Sequence, residues 1–382
     1  MIEMQLFDAC ENGNVEEVQQ LLNNPNTDPN YQDGIKNKTP LWIACWNGHV
    51  EVVKLLLNDK RVEINKGDKY GRTPLDMACQ QGHIEVVKLM LKDERVEVNK
   101  EENIATPLYV ACHCGYIEIV KLLLNDERVD VNHAIDDGTT PLWIACRERQ
   151  IEIVKLLIND ERTDINQGDQ EENWTPFYVA CLFGQVEIVK LFLNDQRVEV
   201  NTVDDKYQRT PFCAASQEGN VGIVKLLLND ERVDLNKSNN DGVTPFYYAC
   251  QYGQIEIMKL LLNNMRIDIN QTKNNVTPLH IACQNGQIEV IEYILSSGRE
   301  VDLNAKNDDG KTVIDISREK EKEEKRDWES EKEYEEKKKK RTTIIELLES
   351  FESNPNETRS KLRIQLGLAG NFFFFFFFFF FF

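Results

Sequence analysis

Residues 39–72 read TPLWIACWNGHVEVVKLLLNDKRVEINKGDKYGR, and this stretch decides the fold. Thr39 is a favourable N-cap and Pro40 suits the first helical position, so a helix is predicted to begin there. Gly48 favours the left-handed backbone that ends a helix. The apolar residues of 52–57 predict a second helix. With the alternating residues and glycine turn that follow, the stretch reads as helix, turn, helix and extended loop.

The same pattern recurs along most of the chain. Thr-Pro dipeptides begin, at intervals of 33 to 35 residues, at Thr39, Thr73, Thr106, Thr140, Thr175, Thr210, Thr244 and Thr277. A unit of this length cannot bury its apolar face alone, so neighbouring units must stack over one continuous core. The sequence therefore predicts an all-α repeat solenoid. Because such a fold offers a long surface, we expect it to serve binding.

The cysteines follow the same repeat. Seven of the ten lie six residues after a threonine of the Thr-Pro series: Cys45, Cys79, Cys112, Cys146, Cys181, Cys250 and Cys283. One cysteine per repeat indicates a packing position, because free cysteine behaves as a small buried hydrophobe. The close pair Cys112 and Cys114 lacks the C-x-x-C spacing of a zinc site. We therefore expect no metal site and no cofactor.

These motifs resemble the ankyrin repeat, whose signature runs TPLHxAA, G-H, V-V-x-L-L-L and D-V-N before a glycine turn. The closest match is TPLHIACQNG at Thr277–Gly286, and the resemblance covers about Leu6 to Lys311. It implies helix-turn-helix pairs with projecting hairpin loops. It also implies a concave face of loop tips and first helices, where such proteins usually hold their partners.

The repeat pattern and the composition divide the chain. A charged insertion at 318–341, expected to form a solvated helical extension, interrupts the last repeat. The other predicted segments are an N-terminal capping repeat at 1–38, eight repeats at 39–311, a C-terminal capping repeat at 312–352, and a linker or disordered tail at 353–371. Residues 372–382 are all phenylalanine, which we interpret as a translated homopolymer tract or a misjudged gene end.

Three positions depart from the pattern. Arg149 stands where other repeats have the helix-ending glycine, so its turn should be strained by about 1 kcal/mol. Ile104 and Gln208 stand at a hairpin position that elsewhere holds glycine or asparagine. Because neither favours the left-handed region, their turns are expected to differ in shape.

Two sets of positions predict the partner-binding surface. Residues seven and eight after each threonine vary in size and charge, as a contact surface does, and aromatic residues occur at the hairpin tips. The predicted contact residues are Trp46, Tyr70, Trp174, Leu182, Phe183, Tyr207 and Tyr252. Acidic turn residues favour a partner with basic segments: Glu171, Glu172, Asp204 and Asp205.

A third ladder lies three residues after each threonine. Five of its eight members are Trp or Tyr, including Trp42 and Trp143. This position normally packs against the next repeat, so we favour a structural role. The alternative is an aromatic cage, built on Trp42 or Trp143, that reads methyl-lysine.

An asparagine closes the extended segment of each repeat. A structural role follows from the two donors and one acceptor of its amide, which can satisfy loop backbone groups. In the ankyrin family this position is also a target of asparaginyl hydroxylation, and the resemblance implies Asn65, Asn99 and Asn132 as candidates.

The chain shows none of the sequence motifs of common enzymes, and its five histidines lie in different repeats. We therefore expect no enzyme but an intracellular scaffold or adaptor that binds a partner protein on its concave face, as a monomer. The alternative is that the chain is the targeting portion of a larger enzyme, for example a kinase or transferase, truncated at its C-terminus.

The formal net charge of −20 disfavours nucleic acid and anionic membranes as partners, although acidity also keeps a long solenoid soluble. The N-terminus lacks a secretory signal, so a cytoplasmic location is expected. The basic run at 337–341 leaves a nuclear location open.

Overall fold

The computed structural model describes residues 2–100, 105–326 and 328–368. Twenty-one helices and no named strand occur among these residues. In chain order the first ten are α1 (Ile2–Asn12), α2 (Val15–Leu22), α3 (Pro40–Asn47), α4 (Val50–Asn58), α5 (Pro74–Gln81), α6 (Ile84–Leu91), α7 (Pro107–Cys114), α8 (Ile117–Leu124), α9 (Pro141–Arg147) and α10 (Ile151–Asn159). The others are α11 (Pro176–Leu182), α12 (Val186–Leu193), α13 (Pro211–Gln217), α14 (Val221–Asn229), α15 (Pro245–Gln251), α16 (Ile255–Asn263), α17 (Pro278–Gln284), α18 (Ile288–Ser296), α19 (Val313–Glu321), α20 (Glu331–Ser353) and α21 (Pro355–Gln365).

Every threonine of the Thr-Pro series caps a helix, as the sequence predicts. The side-chain oxygen of Thr39 accepts a hydrogen bond from the Trp42 N–H at 3.1 Å, which satisfies one of the free N–H groups of the first turn. The seven other threonines accept the same bond from the residue three positions on. The proline after each threonine begins the helix.

The helices stack in two layers within each of two compact units. The described residues of Met1–Ala180 and Glu187–Glu199 form the first unit, and those of Cys181–Val186 and Val200–Phe382 form the second. In the first unit α1, α3, α5, α7 and α9 pack successively, and so do α2, α4, α6, α8 and α10. In the second unit the same holds for α13, α15, α17 and α19 and for α14, α16 and α18. The all-α repeat solenoid of helix-turn-helix pairs is confirmed.

The cysteine ladder fills the core between the layers. Nine of the ten free cysteines are buried, and Cys114 is half-buried. Burial raises the pKa of the Cys283 thiol to about 12, so this thiol stays protonated at neutral pH. Ser216, which replaces cysteine where the pattern lapses, is also fully buried. The predicted packing role of this position is confirmed.

The hairpin loops explain why the spacing of the repeats varies. In residues 68–72 the N–H of Asp68 donates to the carbonyl of Arg72, four residues later, and Gly71 has a φ of 79°. In residues 204–209 the N–H of Asp204 donates to the carbonyl of Arg209, five residues later, and Gln208 has a φ of 55°. The longer turn adds one residue, so the interval between threonines grows from 34 to 35.

The six-residue turn is not peculiar to Gln208. The loops of Asn37 and Asn173 close with the same five-residue reach, and both asparagines have positive φ, at 57° and 55°. Gln208 therefore differs from the glycine turns, as expected, but shares its turn with these two asparagines. Ile104 lies outside the described residues.

An asparagine bridge joins each hairpin to the next. The Asn132 side chain donates to the carbonyl of Arg162 at 2.7 Å and accepts from the N–H of Asp164 at 2.7 Å. The same two bonds are made by Asn30, Asn65, Asn99, Asn166, Asn201 and Asn236. Both ends of each amide are therefore engaged in holding the next repeat in register.

An arginine ladder, which the sequence analysis missed, reinforces this bridge. Arg162 pairs with Asp160 at 2.7 Å and donates to the carbonyl of Leu124 at the end of α8, at 2.7 Å. A cation at a helix C-terminus satisfies free carbonyls and complements the helix dipole. Equivalent bonds are made in the first unit by Arg61, Arg95, Arg128 and Arg197. An arginine recurs 22 residues after every threonine of the series, so this signal was readable.

The C-terminal part differs from the expected insertion and tail. Within 318–341, helix α19 extends to Glu321 and α20 begins only at Glu331, so a loop interrupts the expected helical extension. Helix α21 lies inside the segment expected to be a linker or disordered tail. It packs on α18 and α20, and its Thr358 and Leu362 side chains are buried. Residues 372–382 lie outside the described residues.

Arg149 holds the strained turn that its sequence position predicts. Its φ is 61°, and its side chain is exposed. We expect Arg149→Gly to raise the free energy of unfolding by about 0.5–1 kcal/mol, because glycine adopts this region without a Cβ penalty. Urea unfolding followed by circular dichroism measures the change. The adjacent Glu148→Gly is the matched control, since Glu148 has a φ of −82°, where glycine should destabilise. Equal effects of the two substitutions would contradict the strain.

Removing one asparagine bridge should be costly. We expect Asn132→Ala to lower the free energy of unfolding by about 2 kcal/mol, because two inter-repeat hydrogen bonds are lost. Asn159→Ala is the control, since Asn159 is exposed at the end of α10. Urea unfolding and amide hydrogen exchange at the Asp164 N–H test this. An Asn132→Ala protein as stable as Asn159→Ala would show that the bridge contributes nothing.

Candidate protein-binding surface

The structure brings two predicted contact residues of the first unit together. Trp46, at the end of α3, stacks on Trp42 with ring centroids 5.4 Å apart. Tyr70, on a hairpin tip, lies 5.2 Å from the Arg72 guanidinium, which is also 5.6 Å from the Trp42 ring. Asp68 orients this guanidinium by accepting from its Nε and Nη2 at 3.0 and 2.5 Å. Tyr70 is 45% exposed, whereas Trp46 is half-buried.

Trp174 differs from the exposed loop-tip residue that the sequence predicts. Its ring stacks on Tyr178 at 5.7 Å, and the side chain is half-buried. Its carbonyl accepts a hydrogen bond from Trp143 Nε1 at 2.8 Å. Packing against its own repeat therefore limits the surface that Trp174 offers to a partner.

The second unit exposes three of its four predicted contact residues. Phe183 and Tyr252 follow the ends of α11 and α15 and are 53% and 51% exposed, and Tyr207 is 43% exposed at a hairpin tip. Arg209 lies 4.8 Å over the Tyr207 ring. Leu182 is half-buried and so offers less than expected.

Loop tips and first-helix ends meet in this second unit as well. The Arg209 guanidinium in the hairpin donates to Gln217 Oε1 at the end of α13, at 3.3 Å. Arg209 also donates to Asp204 at 2.7 Å, and the Asp204 side chain is completely buried. Asp204 is therefore neutralised inside its own loop, and its predicted attraction for basic segments is wrong. Asp205 and Glu171 are exposed and keep that capacity, whereas Glu172 is half-buried.

The aromatic ladder three residues after the threonines is structural. Trp42 Nε1 donates to the carbonyl of Arg72 at 3.0 Å, and Trp143 Nε1 bonds Trp174 in the same way. These side chains are only 1% and 7% exposed. A methyl-lysine cage needs ring faces open to solvent, so the structure does not support a cage built on either tryptophan.

The three candidate hydroxylation sites are bridging asparagines. Asn65, Asn99 and Asn132 are half-buried, and each donates its amide to a carbonyl of the following repeat at 2.7 Å. An enzyme could reach these side chains only after local opening of the hairpin. Hydroxylation stays a prediction.

An apolar surface on the second-helix side escaped the sequence analysis. A groove of about 690 Å³ involves α6, α8 and α10 of the first unit, with Ile84 and Tyr116 36% and 37% exposed. Its lysines pair locally, Lys121 with Glu118 and Lys155 with Glu152. Tyr116 stands where several other repeats have His or Gln, and this difference was the available signal.

The part of the chain that the structure describes holds no group of three or more His, Cys, Asp or Glu side chains placed to bind a metal ion. Among the same residues, no helix combines the length and apolar character that a membrane crossing needs.

Comparison with known families agrees with this architecture. The family model described as ankyrin repeats (3 copies) matches four overlapping stretches of the chain, residues 6–102, 96–169, 161–239 and 212–307. The chain belongs to the ankyrin-repeat family. No curated protein matches it. Ankyrin repeats generally act as protein–protein interaction modules, which agrees with the exposed aromatic side chains of both units.

One ankyrin repeat carries an unusual carboxylate in its core. Asp76 occupies the position at which the signature has histidine. The repeat that begins at Thr277 keeps this histidine, as His280. Its Oδ2 accepts from the N–H and the hydroxyl of Thr73, both at 2.8 Å. Its Oδ1 is buried without a hydrogen-bond partner among the described residues. Burial raises the pKa of Asp76 to about 7, although the bonds from Thr73 oppose the shift.

Asp76 should make stability depend on pH. Asp in the unfolded chain has a pKa of about 3.9. Between this value and about 7, Asp76 holds a proton in the folded state but not in the unfolded state. The wild type therefore loses stability as pH rises toward 7. We expect the free energy of unfolding of Asp76→Asn, relative to wild type, to increase by about 2–3 kcal/mol between pH 5 and pH 8. Urea unfolding at each pH measures this difference. Asp136→Asn, at an exposed loop position, is the control and should show no trend. A difference independent of pH would mean that Asp76 is ionised in the fold throughout this range.

Proposed function

We propose that this chain is a non-catalytic adaptor that holds a segment of a partner protein on its first helices and hairpin loops. The observation that carries this proposal is the exposure of large aromatic rings at positions that vary between repeats. Phe183, Tyr252, Tyr207 and Tyr70 keep about half of their surface open, whereas the aromatic residues of the repeat core are buried. Exposed aromatic side chains of this kind are preferred anchors in protein interfaces.

The proposed adaptor acts as a monomer inside the cell. Support for a monomer comes from the two ends of the repeats, where α1 and α2 cover α3 and α4, and α20 and α21 cover α18. Terminal repeats of this kind protect a solenoid from end-to-end association. Support for an intracellular location comes from the cysteines, which are free and mostly buried, as suits a reducing compartment. The exposed acids Asp205 and Glu171 favour basic segments in the partner.

Truncation of the exposed rings tests the function. We expect Phe183→Ala and Tyr252→Ala each to weaken partner capture about tenfold, because such anchors contribute 1 kcal/mol or more to binding. Capture from cells by the tagged full chain, with crosslinking and quantitative mass spectrometry, identifies the partners and measures their recovery.

The control variant is Met265→Ala. Met265 is 70% exposed in the same unit but belongs to neither predicted contact set. Urea unfolding of all three variants checks that the fold is kept. If both Phe183→Ala and Tyr252→Ala stay folded and capture partners as well as the wild type does, the proposed binding surface is wrong.

A further inference from the structure

The first two hairpin loops of the first unit form one continuous surface. These loops, residues 33–38 and 68–72, are joined by a hydrogen bond from the Lys69 N–H to the Lys36 carbonyl at 2.9 Å. The bond holds the two lysines on neighbouring tips. Lys36, Lys38 and Lys69 are called the basic patch below.

The acids of these loops are engaged within their own turns. Asp33 Oδ1 accepts the N–H groups of Lys36 and Lys38, both at 2.9 Å. The Asp68 side chain is fully buried and pairs with Arg72. Asp33 keeps its negative charge, but the basic residues of the two loops outnumber the two acids, so the net charge of the loops is positive.

Aromatic rings lie beside the basic patch. Lys38 Nζ lies 4.6 Å from the Trp42 ring, and Lys69 Nζ lies 4.9 Å from the Tyr70 ring. Such cation–π contacts position the ammonium groups without cancelling their charge. Lys36 and Lys69 are exposed and form no ion pair with any carboxylate in residues 2–100, 105–326 and 328–368. The patch is thus a local region of positive charge on a chain of net charge −20.

Two later hairpin loops of the same unit carry the opposite charge. Residues 133–139 and 167–174 contain no lysine or arginine, and Asp136 and Glu171 are exposed there. The Gln170 N–H donates to the carbonyl of Asp137 at 2.8 Å, so these loops are joined like the first two. They are called the acidic loops below.

We propose that the first unit binds an extended peptide segment of split charge, whose acidic end contacts the basic patch and whose basic end contacts the acidic loops. This inference rests on the proposed adaptor function and names the chemistry of the partner. Three repeats separate the centres of the two charged regions, which corresponds to about 27 Å at a helix spacing of about 9 Å. An extended chain covers that distance with about eight residues. The Tyr70 ring beside the patch, which is 45% exposed, supplies apolar contact at the acidic end.

Peptide selection tests the chemistry directly. Random 16-residue peptides displayed on phage are selected on the full chain, and synthetic copies are measured by fluorescence anisotropy at low and high salt. We expect the selected peptides to carry an acidic and a basic cluster about eight residues apart. We also expect their affinity to fall as salt rises.

Charge reversal assigns the acidic end to the basic patch. The double variant Lys36→Glu and Lys69→Glu should bind these peptides about tenfold more weakly, and replacing the acidic cluster of the peptide with lysines should recover the loss. The control is Lys60→Glu with Lys92→Glu in the same unit. Those lysines are also exposed, and the change in net charge is the same. Binding by the control should match the wild type.

Each other outcome overturns the inference. Selected peptides without an acidic cluster, or equal binding by the Lys36→Glu and Lys69→Glu variant, would show that the partner has a different chemistry. Selection of no peptide would also overturn it. The adaptor function is judged separately, because partner capture by the Phe183 and Tyr252 variants uses the second unit and does not depend on the basic patch.

Discussion

The bridge made by one asparagine side chain in each repeat is the interaction on which the surface depends. Asn132 uses both ends of its amide to hold the backbone of the following repeat, and Arg162 clamps the end of the preceding helix from the same segment. A helix pair of seven to nine residues per helix is too short to be stable alone, so its order comes from such contacts with its neighbours. Because the bridges lie at the base of the hairpins, they also set where the loop tips project.

This arrangement separates two sets of aromatic residues with different roles. The rings three residues after the threonine, such as Trp42 and Trp143, are buried and donate to the carbonyl that precedes the next repeat. The rings at the helix ends and loop tips, such as Phe183 and Tyr252, have no comparable bond to make and keep much of their surface exposed. The first set stabilises the stack, and the second set is available for a partner.

Sequence reasoning succeeded where the same backbone preference or packing position recurs in many repeats. The threonine caps, the buried cysteine position and the left-handed turn at Arg149 each follow from a local preference repeated many times. It was less accurate where exposure depends on a neighbour. Asp204 looked like a surface acid but is buried by a partner five residues away, and Trp46 looked open but leans on Trp42.

The sequence by itself determined the fold class, the repeat length and the ladder to which each residue belongs, because these depend on periodicity and on backbone preferences that act over a few residues. The tertiary structure alone decided which charges remain available. Lys36 and Lys69 lie on neighbouring loop tips because a backbone hydrogen bond joins their loops, and the Asp68 and Asp204 side chains are buried within their own turns. The exposure and pairing of a side chain depend on contacts between different repeats or across a turn of the folded backbone. The pattern of residues along the chain does not record these contacts.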